Sequence, residues 1–216
     1  MEEIFGPQGL LASHLPKYEP RPGQQEMAEA VAELLYEMDG LPFIEQEHSQ
    51  ADCLVVEAET GLGKTLAYLV PAVRSGRKVV VSTNTRNLQD QILKREIPFI
   101  RQYIDPDLKA MCVKGRQNYL CLYRWHQITG SGQHELFENT EFDDINTWLE
   151  TTVFADRTEL PWLRGNSPLW QKLCCLSHFC LGSDCPDATG CFLNRLRREA
   201  AAVVCWWSTT TSFSPT

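Results

Sequence analysis

Short apolar runs alternate with amphipathic stretches over the first half of the chain. The predicted strands are Cys53–Val56, Val79–Val81 and Ala110–Val113, of which the first two read as buried strands. The predicted helices are Gln24–Met38, ended by Asp39–Pro42, then Lys64 to about Val73, and Asn87–Ile100, closed near Pro98. Strands and helices in this order and at this spacing predict a parallel sheet in an α/β domain.

The pattern changes after about Val113. Cysteines, tryptophans and acidic helical stretches replace the strands, up to a basic helix that begins at Phe192 and ends near Ala200. This segment is too short to bury a large core by itself. We therefore expect an inserted, mainly helical subdomain that follows the α/β part.

Composition places the chain among ordinary globular proteins. Of 216 residues, 43% are hydrophobic and 22% are charged, which excludes disorder, collagen and coiled coil as descriptions of the whole chain. No apolar stretch approaches the roughly 20 residues of a membrane span, and the first residues lack the pattern of a signal peptide. These features predict a cytoplasmic protein that does not enter a membrane.

The charge is unevenly distributed along the chain. A net charge of −8 argues against a general polyanion-binding surface. Residues 133–160 are strongly acidic, and we expect this segment to form a solvated outer face. Basic residues flank this segment and leave room for a local basic groove: Lys114, Arg116, Arg124, Arg195, Arg197 and Arg198.

A glycine-containing segment after the first predicted strand has the spacing of a phosphate-binding loop. Ala58-Glu59-Thr60-Gly61-Leu62-Gly63-Lys64-Thr65 reads as a Walker A sequence with alanine at the first glycine position. Gly61 and Gly63 give the backbone the freedom to turn its N–H groups toward phosphate oxygens. Lys64 would reach the β and γ phosphates, and Thr65 would hold Mg²⁺. A strand before this loop and a helix after it are the expected context.

Nine cysteines are many for a cytosolic chain, so metal binding is more plausible than a disulfide framework. Cys180, Cys185 and Cys191 stand in polar, turn-rich sequence, and Cys121 lies far upstream. Their spacing favours an iron–sulfur cluster over structural zinc without excluding zinc. The other five are expected to be small buried apolar residues: Cys53, Cys112, Cys174, Cys175 and Cys205.

Several blocks in order resemble the iron–sulfur superfamily 2 DNA helicases related to XPD, in the bacterial DinG/YoaA branch. The blocks are Arg21–Met27, similar to the Q-motif, Glu57–Thr65, similar to motif I, Ser82–Thr85 with Leu88–Gln91, similar to motif Ia, and Lys114–Cys121, similar to the start of the cluster domain. The resemblance implies that Gln24 reads adenine and that Cys121, Cys180, Cys185 and Cys191 hold a [4Fe–4S] cluster.

The resemblance implies a partial RecA-like P-loop domain at 1–113, a helical iron–sulfur domain at 114–200, and the start of a return strand in 201–216. It further implies an ATP- and Mg²⁺-dependent 5′-to-3′ helicase acting on single-stranded or forked DNA in DNA repair, with a replication or repair protein as a possible but unidentified partner. Thr83, Asn84 and Arg116 would meet backbone phosphates. A remnant that binds DNA or a protein partner without catalysis, and a zinc-containing P-loop ATPase, are the alternatives.

The end of the sequence departs from the pattern of the family. Residues 204–214 fit no helix, strand or turn pattern, and an Asp-Glu-x-His box is absent from the sequence. We wrote plausible codons for Trp206–Ser214 and translated them in a neighbouring reading frame. They then encode Val-Val-Asn-His-His-Leu-Leu-Phe, which is the sequence that the family would have here. We therefore expect a frameshift near Val204 or Cys205, and a chain that binds nucleotide poorly and hydrolyses almost none.

Overall fold

A computed structural model describes residues 1–37, 53–83, 86–130, 139–203 and 205–209. The predicted helix end at Asp39–Pro42, the phosphate contact Asn84 and the tail 210–216 lie outside the described residues. The α-helices are α1 (Glu2–Phe5), α2 (Leu10–His14), α3 (Pro22–Glu37), α4 (Lys64–Arg74), α5 (Arg86–Gln91), α6 (Ile97–Tyr103), α7 (Leu122–Gly130), α8 (Asn139–Leu149), α9 (Pro168–Leu173) and α10 (Phe192–Ala202). The strands are β1 (Val79–Thr83), β2 (Ala110–Val113) and β3 (Cys205–Thr209). No described helix is both long enough and apolar enough to span a membrane.

The chain forms two compact units. Of the described residues, unit 1 comprises 1–37, 53–81, 86–110 and 205–206, and unit 2 comprises 82–83, 111–130, 139–203 and 207–209. The domain boundaries proposed from the sequence, at 113/114 and 200/201, stay predictions.

Helices α3 and α4 pack against each other in unit 1. Helix α3 starts at Pro22, since a proline in the first turn loses no helical hydrogen bond. Helix α4 starts after Gly63 and buries the apolar side chains Leu66, Ala67, Leu69 and Val70. The structure confirms both helices predicted from the sequence, within two residues at each end that it describes.

The predicted helix Asn87–Ile100 does not close near Pro98. The chain continues from α5 through a π-helical stretch, Ile92–Glu96, into α6, and Pro98 lies in the first turn of α6. Proline lacks the N–H that an interior helical position would donate, and Pro98 lies where the hydrogen bonding changes from π-helical to α-helical. The wider π turn just before this point lets the helix continue, so the prediction of a break was wrong.

Three described strands form one sheet in the order β1-β3-β2. Two predicted strands are confirmed as β1 and β2, but Val80 in β1 is 50% exposed and not buried. The expectation that residues 204–214 contain no strand is wrong for Cys205–Thr209, which pair between β1 and β2. Unpaired backbone groups of neighbouring strands favour such pairing even where the side-chain pattern is weak.

The predicted buried strand Cys53–Val56 is not formed. These four residues have no regular secondary structure, and all are exposed; Val55 reaches 86%. An apolar run becomes a strand only where neighbouring strands satisfy its backbone and cover its side chains. None of the described strands pairs with Cys53–Val56 or covers it. The prediction of a strand and the prediction of burial were therefore both wrong here.

Unit 2 has its own apolar core. Trp125 stacks on Phe142 with 5.5 Å between ring centroids, and the indole of Trp170, buried to 2% exposure, donates to a backbone carbonyl at 2.8 Å. Lys114 donates to Asp156 at 2.6 Å, and both side chains are largely buried. This acid of the 133–160 segment therefore has a structural partner, whereas Asp143, Asp144 and Glu150 are exposed as expected.

Candidate functional site

The phosphate-loop segment has the backbone conformation that its glycines were predicted to allow. Gly61 and Gly63 have φ values of 85° and 87°, in the left-handed region that side chains rarely adopt. Gly63 also precedes the first residue of α4, so the loop turns directly into the helix. Ala58 and Leu62 are half-buried, and the remaining loop residues Glu59 and Thr60 are exposed.

The Lys64 ammonium group folds back onto its own loop. Its Nζ donates to the carbonyl oxygens of Ala58 and Glu59, at 2.8 and 2.6 Å. These two hydrogen bonds hold the positively charged ammonium group of Lys64 against the loop. A phosphate group would compete with the two carbonyls for the ammonium, because charged acceptors form the stronger hydrogen bonds. Thr65 is half-buried in the first turn of α4.

Gln24 is tied to the loop rather than exposed. It is 3% exposed, donates from Nε2 to the carbonyl of Gly63 at 3.1 Å, and accepts from the Tyr18 hydroxyl at 3.1 Å. The Arg21 guanidinium donates to the carbonyl of Gly61. Gln24, Tyr18 and Gly63 also line a cavity of about 180 Å³. Reading of adenine by Gln24 stays a prediction.

The predicted phosphate contacts are less accessible than expected. Thr83 is 6% exposed, so its side chain does not offer its hydroxyl to a ligand at the surface. Arg116 is half-buried and faces the cysteine cavity described next. Burial of Thr83 follows from its place at the end of β1, which the sequence did not reveal.

The four cysteines singled out in the sequence line one cavity of about 210 Å³ in unit 2. Cys121, Cys180, Cys185 and Cys191 all contribute to its wall. Three arginines line it as well: Arg116, Arg124 and Arg197. Across the described ranges, no three His, Cys, Asp or Glu side chains are placed to hold a single metal ion.

Local turns present three of these cysteines. Cys180 and Cys185 each follow a one-turn 3₁₀ helix, Ser177–Phe179 and Gly182–Asp184. Cys191 precedes the first residue of α10, as Cys121 precedes that of α7. The amides of Cys180, Cys185 and Cys191 each donate to the carbonyl three residues earlier, at 3.4 Å. The polar, turn-rich sequence between the cysteines therefore forms the repeated turns that it indicates.

The electrostatic surroundings favour a thiolate at Cys121. A hydrogen bond from the Cys175 side chain lowers the pKa of Cys121 to about 6, against the effect of burial, and backbone amides with the Arg124 charge lower it further. The same pairing, together with burial, raises the pKa of Cys175. Burial raises the pKa of Cys185, and burial with the nearby Arg116 charge lowers that of Arg197. Positive charge around thiol groups favours anionic sulfur.

Sequence reasoning missed Cys175 as a cavity residue. Cys174 and Cys175 are buried, as expected, but Cys175 also lines the cavity. Cys53, expected to be buried, is exposed. Two adjacent cysteines carry no signal that separates a core residue from a cavity residue. The distinction depends on which face each side chain takes in the folded chain.

The chain is similar in sequence to known helicases. Residues 41–131 match the DEAD/DEAH box helicase family. The chain is 35% identical over 198 residues to the ATP-dependent DNA helicase YoaA of Haemophilus influenzae, and 35% over 201 residues to that of Escherichia coli. It is 36% identical over 204 residues to the ATP-dependent helicase DinG of Mycobacterium tuberculosis.

These alignments cover most of this chain but a minor part of each relative. They span 91, 93 and 83% of this chain, against 29, 30 and 28% of the respective relatives. The chain therefore spans less than a third of the length of these relatives.

Proposed function

We propose that this chain, which carries a DEAD/DEAH box helicase domain and is homologous to the bacterial YoaA and DinG helicases, is the nucleotide-binding and iron–sulfur part of an ATP-dependent DNA helicase. A domain of this family implies a RecA-like α/β fold. The proposal extends to an inserted helical iron–sulfur subdomain, 5′-to-3′ unwinding of single-stranded or forked DNA, and a cytoplasmic location.

The phosphate loop supports nucleotide binding. Gly61 and Gly63 provide the left-handed turns, and Lys64 brings a cation into the loop. Phosphate oxygens of ATP would replace the two carbonyl oxygens that Lys64 now contacts. Thr65, in the first turn of α4, would supply a hydroxyl ligand to Mg²⁺. Gln24 is hydrogen-bonded to the loop, and from this position it would contact the adenine base of ATP.

The single observation that carries the cluster proposal is the common cavity of the four cysteines. Thiolates are the ligands that iron–sulfur clusters require, and the flanking arginines would offset the negative charge of a thiolate-ligated cluster. Cys121, Cys180, Cys185 and Cys191 would be the ligands. When bound, such a group supplies one-electron redox chemistry and cross-links distant parts of the chain.

The metal experiment uses the full 216-residue chain purified without oxygen. We expect iron and inorganic sulfide in equal amounts and broad absorbance near 400 nm. Cys185→Ser should lose most of both signals, whereas Cys53→Ser, an exposed thiol outside the cavity, should keep them. A colourless, zinc-loaded chain would instead support a zinc-containing P-loop ATPase and reject the cluster.

Nucleotide and DNA binding are tested on the same protein. We expect a fluorescent ATP analogue to bind weakly, with at least a tenfold loss for Lys64→Ala, since the cation is the strongest phosphate contact. We expect little ATP turnover, because the sequence contains no Asp-Glu-x-His box to position Mg²⁺ and water. Turnover stimulated by forked DNA would contradict that last expectation. DNA binding without any nucleotide binding would favour a non-catalytic remnant.

A further inference from the structure

Cys175 is a fifth thiol in the cysteine cavity, and the four-ligand proposal gives it no role. Its side chain is 7% exposed, yet it lines the cavity together with the four proposed ligands. Its electrostatic neighbours include three of them: Cys121, Cys180 and Cys191. A thiol in this position is inside the site rather than in the apolar core.

Backbone pairing explains how Cys175 comes to lie beside Cys121. Leu120 and Cys174 form an antiparallel bridge. The amide of Cys175 donates to the carbonyl of Tyr119 at 2.8 Å, and that of Cys121 donates back to the other segment at 2.8 Å. Side chains alternate between faces along paired segments. Leu120 and Cys174 therefore face the core, whereas Cys121 and Cys175 share the opposite face as diagonal neighbours.

The thiol of Cys175 has two acceptors within reach. Its Sγ donates to the carbonyl oxygen of Leu120 at 3.5 Å, and the sulfur of Cys121 lies on the same face of the paired segments and lines the same cavity. One thiol hydrogen serves one acceptor at a time. An anionic, metal-bound sulfur is a stronger acceptor than a neutral carbonyl, so the Cys121 sulfur of a bound cluster would compete with Leu120 for this hydrogen.

We infer that Cys175 is a positioning residue for the proposed cluster: its buried S–H donates a hydrogen bond to the sulfur of Cys121 and raises the reduction potential of the group held there. This inference rests on the proposed iron–sulfur function. Reduction adds one electron and so one negative charge to the cluster and its sulfurs. A donor that already disperses charge on one sulfur stabilises the reduced state more than the oxidised state.

The test compares variants of the full chain, purified anaerobically, by redox titration followed by absorbance and electron paramagnetic resonance. Cys175→Ala removes the donor, and Cys175→Val removes it while filling similar space. Cys174→Ala is the matched control, because that neighbouring buried thiol contacts the carbonyl of Gln171 at 3.8 Å and faces the core. Cys175→Ser keeps a hydroxyl donor.

We expect Cys175→Ala and Cys175→Val to retain the iron content of the wild-type chain and to show a lower midpoint potential. The potential of Cys175→Ser should lie between theirs and that of the wild type, and Cys174→Ala should match the wild type. A shift in Cys175→Ala no larger than that in Cys174→Ala overturns the inference. Loss of iron in both donor-free variants also overturns it, since Cys175 would then be a ligand. A wild-type chain without iron rejects the cluster proposal itself, and the inference with it.

Discussion

Replacing Gly63 by alanine tests whether the phosphate loop and Gln24 are coupled as the structure places them. A Cβ at Gly63 would collide with the side-chain amide of Gln24. Gly61 provides the matched control, because its φ of 85° is nearly the same as the 87° of Gly63 and a Cβ there would meet nothing within 4 Å. The two substitutions therefore share the backbone strain and differ in the collision.

The expected magnitudes follow from these two contributions. A non-glycine residue in the left-handed region costs about 1–2 kcal/mol, and this cost applies to both variants. At Gly63 the new methyl group also displaces Gln24 from its 3.1 Å bond to the Gly63 carbonyl. Leaving those buried polar groups unpaired costs about 1–3 kcal/mol more. The entropy that alanine removes from the unfolded chain is common to both and cancels.

Hydrogen–deuterium exchange of peptides that cover α4, followed by mass spectrometry, measures the local free energy of opening. We expect exchange in Gly63→Ala to be about tenfold faster than in Gly61→Ala, because about 1.4 kcal/mol corresponds to a factor of ten. Equal exchange rates in the two variants would refute the contact between Gln24 and the loop. A fluorescent ATP analogue adds a second readout, and it should bind more weakly to Gly63→Ala than to Gly61→Ala.

Three further substitutions test other contacts. Tyr18→Phe removes the hydroxyl that lies within hydrogen-bond distance of the Phe5 carbonyl and the Gln24 amide oxygen, and should cost about 1 kcal/mol in urea unfolding, with weaker preference for adenine over guanine nucleotides. The hydrogen bond from the Arg74 guanidinium lowers the pKa of Glu3 to about 2. Because this pKa is lowered, the pair stabilises the folded state fully above pH 4.5, and the stabilisation is lost as the pH falls through about 2. Arg74→Ala should therefore cost less than about 1 kcal/mol at neutral pH for this exposed pair, and the difference in thermal unfolding should vanish below that range. Trp170→Phe leaves a buried carbonyl unpaired and a small void, and should lower the free energy of unfolding by about 2–4 kcal/mol.

Local chemistry made part of the fold predictable. Helix α4 and the loop before it follow from two glycines, a lysine and an apolar helical face, all within one short stretch. Strands β1 and β2 follow from short apolar runs between helices. Each of these features depends on residues close in sequence, and no distant partner is needed to recognise it.

Features that depend on distant partners were missed. Cys53–Val56 has the composition of a buried strand, but only paired neighbours turn such a run into one. Conversely, Cys205–Thr209 lacks the pattern and becomes the middle strand of the sheet because β1 and β2 flank it. The place of Cys175 in the cavity likewise depends on the backbone bridge between Leu120 and Cys174, which sequence spacing does not encode.

The repeated turns at Cys180, Cys185 and Cys191 imply an order of events during maturation of unit 2. Each turn closes over three residues, so its entropy cost is small and these three thiols can reach their mutual arrangement early. The position of Cys121 depends in addition on the pairing of the segment around Leu120 with that around Cys174, which is distant in sequence. If the proposed cluster forms here, a metal donor that arrives before that pairing would meet three sulfurs, and binding of Cys121 would complete the site.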